Sequence, residues 1–465
     1  MASIWQGEPI GWKVVFDFEG TGVAGDYLSV VPVAAKEGTP ALHIGLGKEE
    51  DLTLTVVKCA AAKAVHVLRA QKTEAALVLL DSILASALGT AGADAAVEGL
   101  LLAQYSPQSW KTDPKKQNVQ LYLGVAPQDQ ASLVARLKGL HILTNATLYA
   151  RDLVNAPANL ITPETMATEM AKSAEASGLE VEVLDENEIE ALGMQALLTV
   201  GRSALHPPRL IVLRYNGAPE SEQKIALVGK GVTCDTGGYC LKPPSSMGGI
   251  RGDMAGAAAV FGSILALAQT KVPVNAVAVI PSAENRISPD SYLPGDIIGS
   301  MAGKSIEVGN TDAEGRLMLA DALTYAVRKE NATHIVDIAT LTGAVVNMFG
   351  FTTAGLLCNN DDFYAQFAQA AALSAEQYWR LPIFPEYKKM IETPVADLQN
   401  ISSDGCGTIT AGLFIGSFNE GLPWIHLDIA GTAWVEPPRW EFQAKGATGA
   451  GVTTLYRLCC LMAQS

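Results

Sequence analysis

The sequence predicts an α/β protein, with a smaller N-terminal α/β domain and a larger C-terminal domain built on a mixed β-sheet flanked by helices. Three observations lead there. The chain has 465 residues, more than one ordinary domain holds. It is 49% hydrophobic and only 17% charged, which suits a large buried core and excludes disorder. Its apolar runs are short. Early in the chain they alternate with helix-length segments, and later each ends in a Gly, Pro, Thr or Asn loop.

In the first part, 12–18 and 28–34 read as strands, 73–88 and 93–104 as helices, and 119–125 as a further strand. A long helical pattern over 128–155 ends at the breaker Asn155-Ala156-Pro157-Ala158-Asn159, and Thr162-Pro163-Glu164 opens the next helix. This places an N-terminal domain over 1–150, a linker over 151–170 and a C-terminal domain over 171–465. In the second part, 225–228, 276–280, 305–308, 335–338 and 424–429 read as buried strands of a helix-covered sheet. The Ala-rich run 255–268 is too short to span a bilayer and reads as a buried helix.

The net charge of −15 argues against a general nucleic-acid-binding surface and for a protein that attracts cations or amines. Seven scattered cysteines without a Cys-x-x-Cys pair read as reduced thiols of a cytoplasmic protein. The first residues show neither a basic region nor an apolar stretch of the secretory type.

Two segments carry chemistry. The run Asn310-Thr311-Asp312-Ala313-Glu314-Gly315-Arg316-Leu317 places two carboxylates and a guanidinium at alternate positions before an apolar helix. Upstream lie Lys230, Asp235, Lys242 and Asp253. Each has an ordinary reading: Thr311 or Asp312 and Asp253 as helix N-caps, Glu314 as a first-turn acid, Arg316 and Lys230 as surface cations. Taken together, four carboxylates, two lysines and an arginine can hold two divalent cations and keep two positive charges for a substrate, as a two-metal hydrolase requires. Lys230 ligates only as the neutral amine. Oxygen donors with one lysine nitrogen suit Mg, Mn, Zn or Co. The Gly229-Lys230-Gly231 turn lacks the phosphate-loop spacing, and the chain has no Gly-x-Ser-x-Gly elbow and no His-Glu-x-x-His. His334 and His426 fall in predicted strands and read as core.

The segment 229–243 and the full run Asn310–Leu317 resemble the motifs of the leucyl aminopeptidase (cytosol aminopeptidase) family of hexameric two-metal peptidases. The likeness extends through Ala339-Thr340-Leu341-Thr342-Gly343-Ala344, Trp379-Arg380-Leu381-Pro382 and 424–434, whereas the first 150 residues carry little of it. The resemblance implies that Asp235 and Glu314 bridge two metals, that Lys230 and Asp253 complete the tighter site, and that Asp312 completes the more exchangeable one. It implies that Lys242 stabilises the oxyanion and that Arg316 holds a bicarbonate general base, helped by main-chain groups near Leu341 and Gly343. The implied activity is release of N-terminal residues, leucine-like by family, from short peptides with a free N-terminus, in a cytoplasmic homohexamer with no membrane or nucleic-acid partner. Cys234, Cys240 and Ile250 depart from the family pattern; none is an implied ligand, and Ile250 bears on side-chain preference. Three other readings compete: a narrow dipeptidase such as a Cys-Gly hydrolase; a non-catalytic scaffold or nucleic-acid-binding hexamer, which the intact ligand set disfavours; and a two-metal phosphatase, which the lack of metal-ligating histidines and the family signature disfavour.

Overall fold

The computed structural model describes residues 2–35, 38–113 and 117–464. Chain contacts divide into two units, Met1–Leu148 with Glu436–Gly446, and Tyr149–Val435 with Ala447–Ser465. The sequence reading runs the second domain unbroken to the C-terminus, but the segment Glu436–Gly446 groups with the first unit. The reason is local. Lys63 pairs with the Glu441 carboxylate at 3.2 Å, His66 Nε2 lies 2.7 Å from the Glu441 carbonyl, and the Lys58 ammonium sits over the Phe442 ring.

The first unit holds a sheet of six strands among the described residues, in the order Ala2–Ile4, Gln120–Gly124, Ala75–Leu79, Trp12–Phe18, Ala41–Gly47, Val30–Val33. All neighbours are parallel except the last pair. Thr53 caps the helix Leu54–Ala70, its hydroxyl accepting from the Val56 N–H, and Val57, Ala61, Val65 and Leu68 turn inward. The helix expected over 73–88 is in fact the strand Ala75–Leu79 followed by the short helix Asp81–Ala85. A five-residue apolar run fits either state by periodicity alone, and pairing on both edges decides for the strand.

In the second unit the main sheet runs Gln377–Arg380, Thr353–Cys358, Trp424–Asp428, His334–Ala339, Lys224–Gly229, Asn275–Asn285, Arg209–Asn216, Glu180–Leu184, with Gly231–Asp235 also paired to Asn275–Asn285. The four central strands are mutually parallel, and antiparallel neighbours flank them, so the sheet is mixed. Ala226, Val228, Val277 and Val279 share one core cluster with Leu317, Leu319 and Leu323 of the helix Glu314–Arg328. The intervening Leu227 and Ala278 are equally buried on the opposite face, where the helix Ala255–Thr270 lies against the same strands. Burial on both faces explains why these strands read as continuous apolar runs.

One expected strand lies elsewhere. The segment 305–308 forms Ile306–Glu307 of a separate three-stranded sheet with Ile297–Ile298 and Leu398–Gln399. Asp312 and Glu314 therefore follow a strand, but not one of the main sheet. Among the described residues no helix is long and apolar enough to cross a membrane, and all seven cysteines are free.

Candidate metal centre

Lys230 follows directly on the buried strand Lys224–Gly229, at the C-terminal end of the parallel core, where open α/β sheets place their functional groups. Its N–H donates to the Ile338 carbonyl at 3.1 Å, tying it to the next strand. Asp235 is the last residue of the strand Gly231–Asp235. Gly237 and Gly238 then take positive φ values of 87° and 60°, and this turn brings the chain back so that the Lys242 N–H donates to the Thr236 carbonyl. Asp253 precedes the helix Ala255–Thr270, and Glu314 is the first residue of Glu314–Arg328.

These segments converge. Oxygens of Asp235, Asp312 and Glu314 lie within 4.8 Å of one another. The Lys230 ammonium sits 2.7 Å from Asp253 Oδ2 and 2.8 Å from Glu314 Oε1, and donates to the Thr340 carbonyl at 3.0 Å. Lys242 Nζ is 2.7 Å from Asp235 Oδ2 and also bonds Asp312 Oδ1. A cavity of about 650 Å³ is lined by Lys230, Asp235, Lys242, Asp253, Asp312 and Arg316, and Leu341, Gly343 and Ile250 belong to the same wall. Eight of the nine sequence-derived site residues thus line one cavity, and Glu314 joins through its pairing with Lys230.

The helix-capping readings fail for a physical reason. Neither Asp312 nor Asp253 caps a helix. The N-cap positions fall to Ala313 and Met254, which give no side-chain bond. Asp312 is held by Lys242, Asp253 by Lys230 and the Thr340 hydroxyl, and Thr311 donates its hydroxyl to the Gly237 carbonyl. Arg316 is buried and donates to the Asn400 carbonyl at 2.8 Å. Carboxylates turned away from helix ends toward buried cations indicate a site, since a cap gives up a bond to form such a pair.

Burial pushes the Asp235 carboxyl up, and the nearby Glu314 and Asp253 charges add to the effect. Asp253 also rises, chiefly through burial. Burial acts to lower the Lys230 ammonium, but Asp253, Glu314 and Asp235 outweigh it and hold it above its usual value. Burial brings Arg316 down to about 10, which leaves it charged at neutral pH. Crowded buried carboxylates of this kind gain most from a bound multivalent cation. Glu314 Oε2 is fully buried and takes no hydrogen bond among the described residues, an unusual state for a carboxylate oxygen unless it serves as a ligand. The donor set and this orphaned oxygen fit divalent cations.

Sequence reasoning missed the groups that hold the site together. Thr340 contacts both Lys230 and Asp253. The Asn400 side chain accepts from the Gly309 and Asn310 N–H groups and donates to the Asn310 carbonyl, bracing the segment before Asp312. Asp428 accepts from the Leu341 and Thr342 N–H groups and from the Thr342 hydroxyl. Burial raises the Asp428 carboxyl. Its only signal in the sequence is an acid ending an apolar strand. His426 lies in a strand as expected, fully buried against Asp337.

Two family models match the chain: the catalytic domain of the cytosol aminopeptidase family over residues 148–456 and the N-terminal domain of that family over residues 18–114. A probable cytosol aminopeptidase of Clostridium perfringens is 45% identical over 420 residues, covering 89% of this chain and 85% of that protein. One from Alkaliphilus oremlandii is 42% identical over 444 residues, covering 94% and 88%. Among solved structures, the bottromycin maturation enzyme BotP matches with a TM-score of 0.89 at 30% identity, over 98% of this chain and 100% of that one, and its complex with Mn matches equally.

Proposed function

The chain belongs to the cytosol aminopeptidase family of peptide hydrolases, and on that premise we propose that it removes N-terminal residues, leucine-like ones foremost, from short peptides with a free α-amine. The observation that carries this reading is the gathering of Asp235, Asp312 and Glu314 oxygens within 4.8 Å of one another, beside two lysines that line one cavity with Asp235 and Asp312.

In this reading Lys230, Asp235, Asp253, Asp312 and Glu314 would hold two divalent ions, Zn or Mn foremost, with Mg or Co as alternatives. Bound there, such a pair acidifies water, polarises the scissile carbonyl and can take the free α-amine. Lys230 would contribute its neutral amine, which requires it to give up the proton it shares with Asp253 and Glu314. Lys242 is the oxyanion donor: an ammonium at the cavity wall, stiffened by Pro243 and Pro244, that offers its charge where negative charge develops on the carbonyl oxygen. Arg316 stays charged in the wall and is the group that would hold a bicarbonate acting as general base, with main-chain groups of Leu341 and Gly343 alongside. Ile250 contributes an apolar, β-branched surface to the wall that meets the first side chain.

The reading also holds that the protein works in the cytoplasm as a homohexamer whose enclosed sites admit only short peptides. Sedimentation tests that part, and a stable monomer at micromolar concentration contradicts it. For the activity, metal-stripped protein is assayed on a leucyl chromogenic amide and its N-acetyl derivative before and after Mn, Zn or Co is restored. Metal-dependent cleavage of the free-amine substrate alone is the expected result. No cleavage with any metal, on this amide or on a dipeptide panel, overturns the reading.

A further inference from the structure

The strand Asn275–Asn285 is buried along its whole length, and its last residue is the ladder partner of Asp235 on the neighbouring parallel strand. Asn285 is fully buried. Its Nδ2 donates to Asp235 Oδ1 at 2.9 Å and to the Thr311 carbonyl at 2.9 Å. Both amide hydrogens are therefore used, and on different segments: one ends at Asp235, and the other leads into Asp312 and Glu314. The two acceptors fix the orientation of the amide. Turned over, its oxygen would face a carboxylate and a carbonyl with no hydrogen between them. Asp235 Oδ1 also receives the Gly237 N–H at 2.9 Å. The protein thus engages Oδ1 twice, and Oδ2 is the oxygen turned to the Lys242 ammonium. Tyr292 donates its hydroxyl to the same Thr311 carbonyl at 2.9 Å.

We infer that Asn285 is a positioning residue of the metal centre: by holding Asp235 Oδ1 and the Thr311 carbonyl at once, it aims Asp235 Oδ2 and sets the spacing between the two ligand-bearing segments. A buried amide bonded to a ligating carboxylate restricts the rotation of that carboxylate, so the ordering cost is met in folding and not in ion binding. The inference rests on the two-metal reading above.

The test is calorimetric titration of metal-stripped protein with Mn, comparing the parent with Asn285→Ala, Asn285→Ser and Tyr292→Phe, each checked for its metal-free melting temperature. Loss of a group that orients a ligand weakens metal affinity by about 10- to 100-fold. That loss is expected for Asn285→Ala, with a smaller one for Asn285→Ser, which keeps a single donor. Tyr292→Phe removes only the Thr311 contact and is expected to bind Mn as the parent does. A folded Asn285→Ala protein with parental affinity overturns the inference. If that variant does not fold, parental affinity in Asn285→Ser does the same. A loss in Tyr292→Phe equal to that in the Asn285 variants also overturns it, because the effect would then belong to the Thr311 segment alone. A parent that binds no Mn is a failure of the metal reading itself and is distinct from all of these.

Discussion

Lys230 Nζ lies 2.8 Å from Glu314 Oε1, and the residue after Glu314 is what allows it. A Cβ on Gly315 would lie 2.8 Å from Lys230 Nζ and closer still to its Cε. The glycine of the Asn-Thr-Asp-Ala-Glu-Gly-Arg-Leu run is thus a steric requirement for the lysine to enter the carboxylate cluster. Gly315→Ala is expected to displace Lys230 and lower kcat/KM by about 100-fold, the scale of a misplacement near 1 Å. Steady-state kinetics at saturating metal measure it, and parental kinetics would show that Lys230 need not sit there.

Lys242 and Glu314 should fail in different ways. With Lys242 as the proposed oxyanion donor, Lys242→Ala leaves the carboxylates in place, so kcat should fall by about 100- to 1000-fold while Mn binding persists. Glu314→Ala removes an oxygen pair from the cluster and should lose both turnover and bound metal. Kinetics paired with elemental analysis of dialysed protein distinguish the two, and near-normal rates in both variants would overturn the site assignment.

Asp428 holds the wall of the cavity from behind. Replacing it with Ala leaves the Leu341 and Thr342 N–H groups and the Thr342 hydroxyl without their acceptor. Unpaired buried donors cost about 1–3 kcal/mol each when no water reaches them. Asp428→Ala is expected to lower the midpoint of urea unfolding and to reduce kcat/KM together. An unchanged midpoint would mean that the loop does not depend on this carboxylate.

Asp321 gives a pH dependence away from the metal centre. It is fully buried, and burial raises its carboxyl to about 7 despite the N–H groups of Met301 and Leu197, which it accepts at 2.8 and 3.0 Å. An acid whose folded value lies above its unfolded value of 3.8 binds more protons in the native state between the two. Its contribution to stability is full below the unfolded value and is lost as pH rises through about 7, with a slope of at most about 1.4 kcal/mol per pH unit. Melting temperatures followed across this window should fall less steeply in Asp321→Asn than in the parent. Parallel curves would contradict the shift.

The legible part of the sequence was the part set by local chemistry. The buried strands of the parallel core showed as apolar runs because both faces are covered. The candidate site residues stood out because the eight-residue run and the glycine-flanked lysine occur in one chain and resemble one family's motifs. What stayed hidden depends on partners distant in sequence. The strand Ala75–Leu79 is a strand because of its two neighbours, and five apolar residues do not announce them. The grouping of Glu436–Gly446 with the first unit rests on Lys58, Lys63 and His66, far away in the chain. Asn285, Asn400 and Asp428 are ordinary polar residues at strand ends until the fold sets them against the loops of the carboxylate cluster. Chemistry-bearing residues could be read from their combination and from the family resemblance, whereas the groups that position them could be read only in three dimensions.

The proposed activity depends on two ions held by the carboxylate cluster. The most direct measurement is turnover of a leucyl amide as a function of the number of Mn ions bound per chain, counted by equilibrium dialysis with elemental analysis. No turnover is expected in the stripped protein, and activity should rise to a plateau as occupancy approaches two ions per chain. Full turnover in metal-free protein, or none with both ions bound, would contradict the proposal.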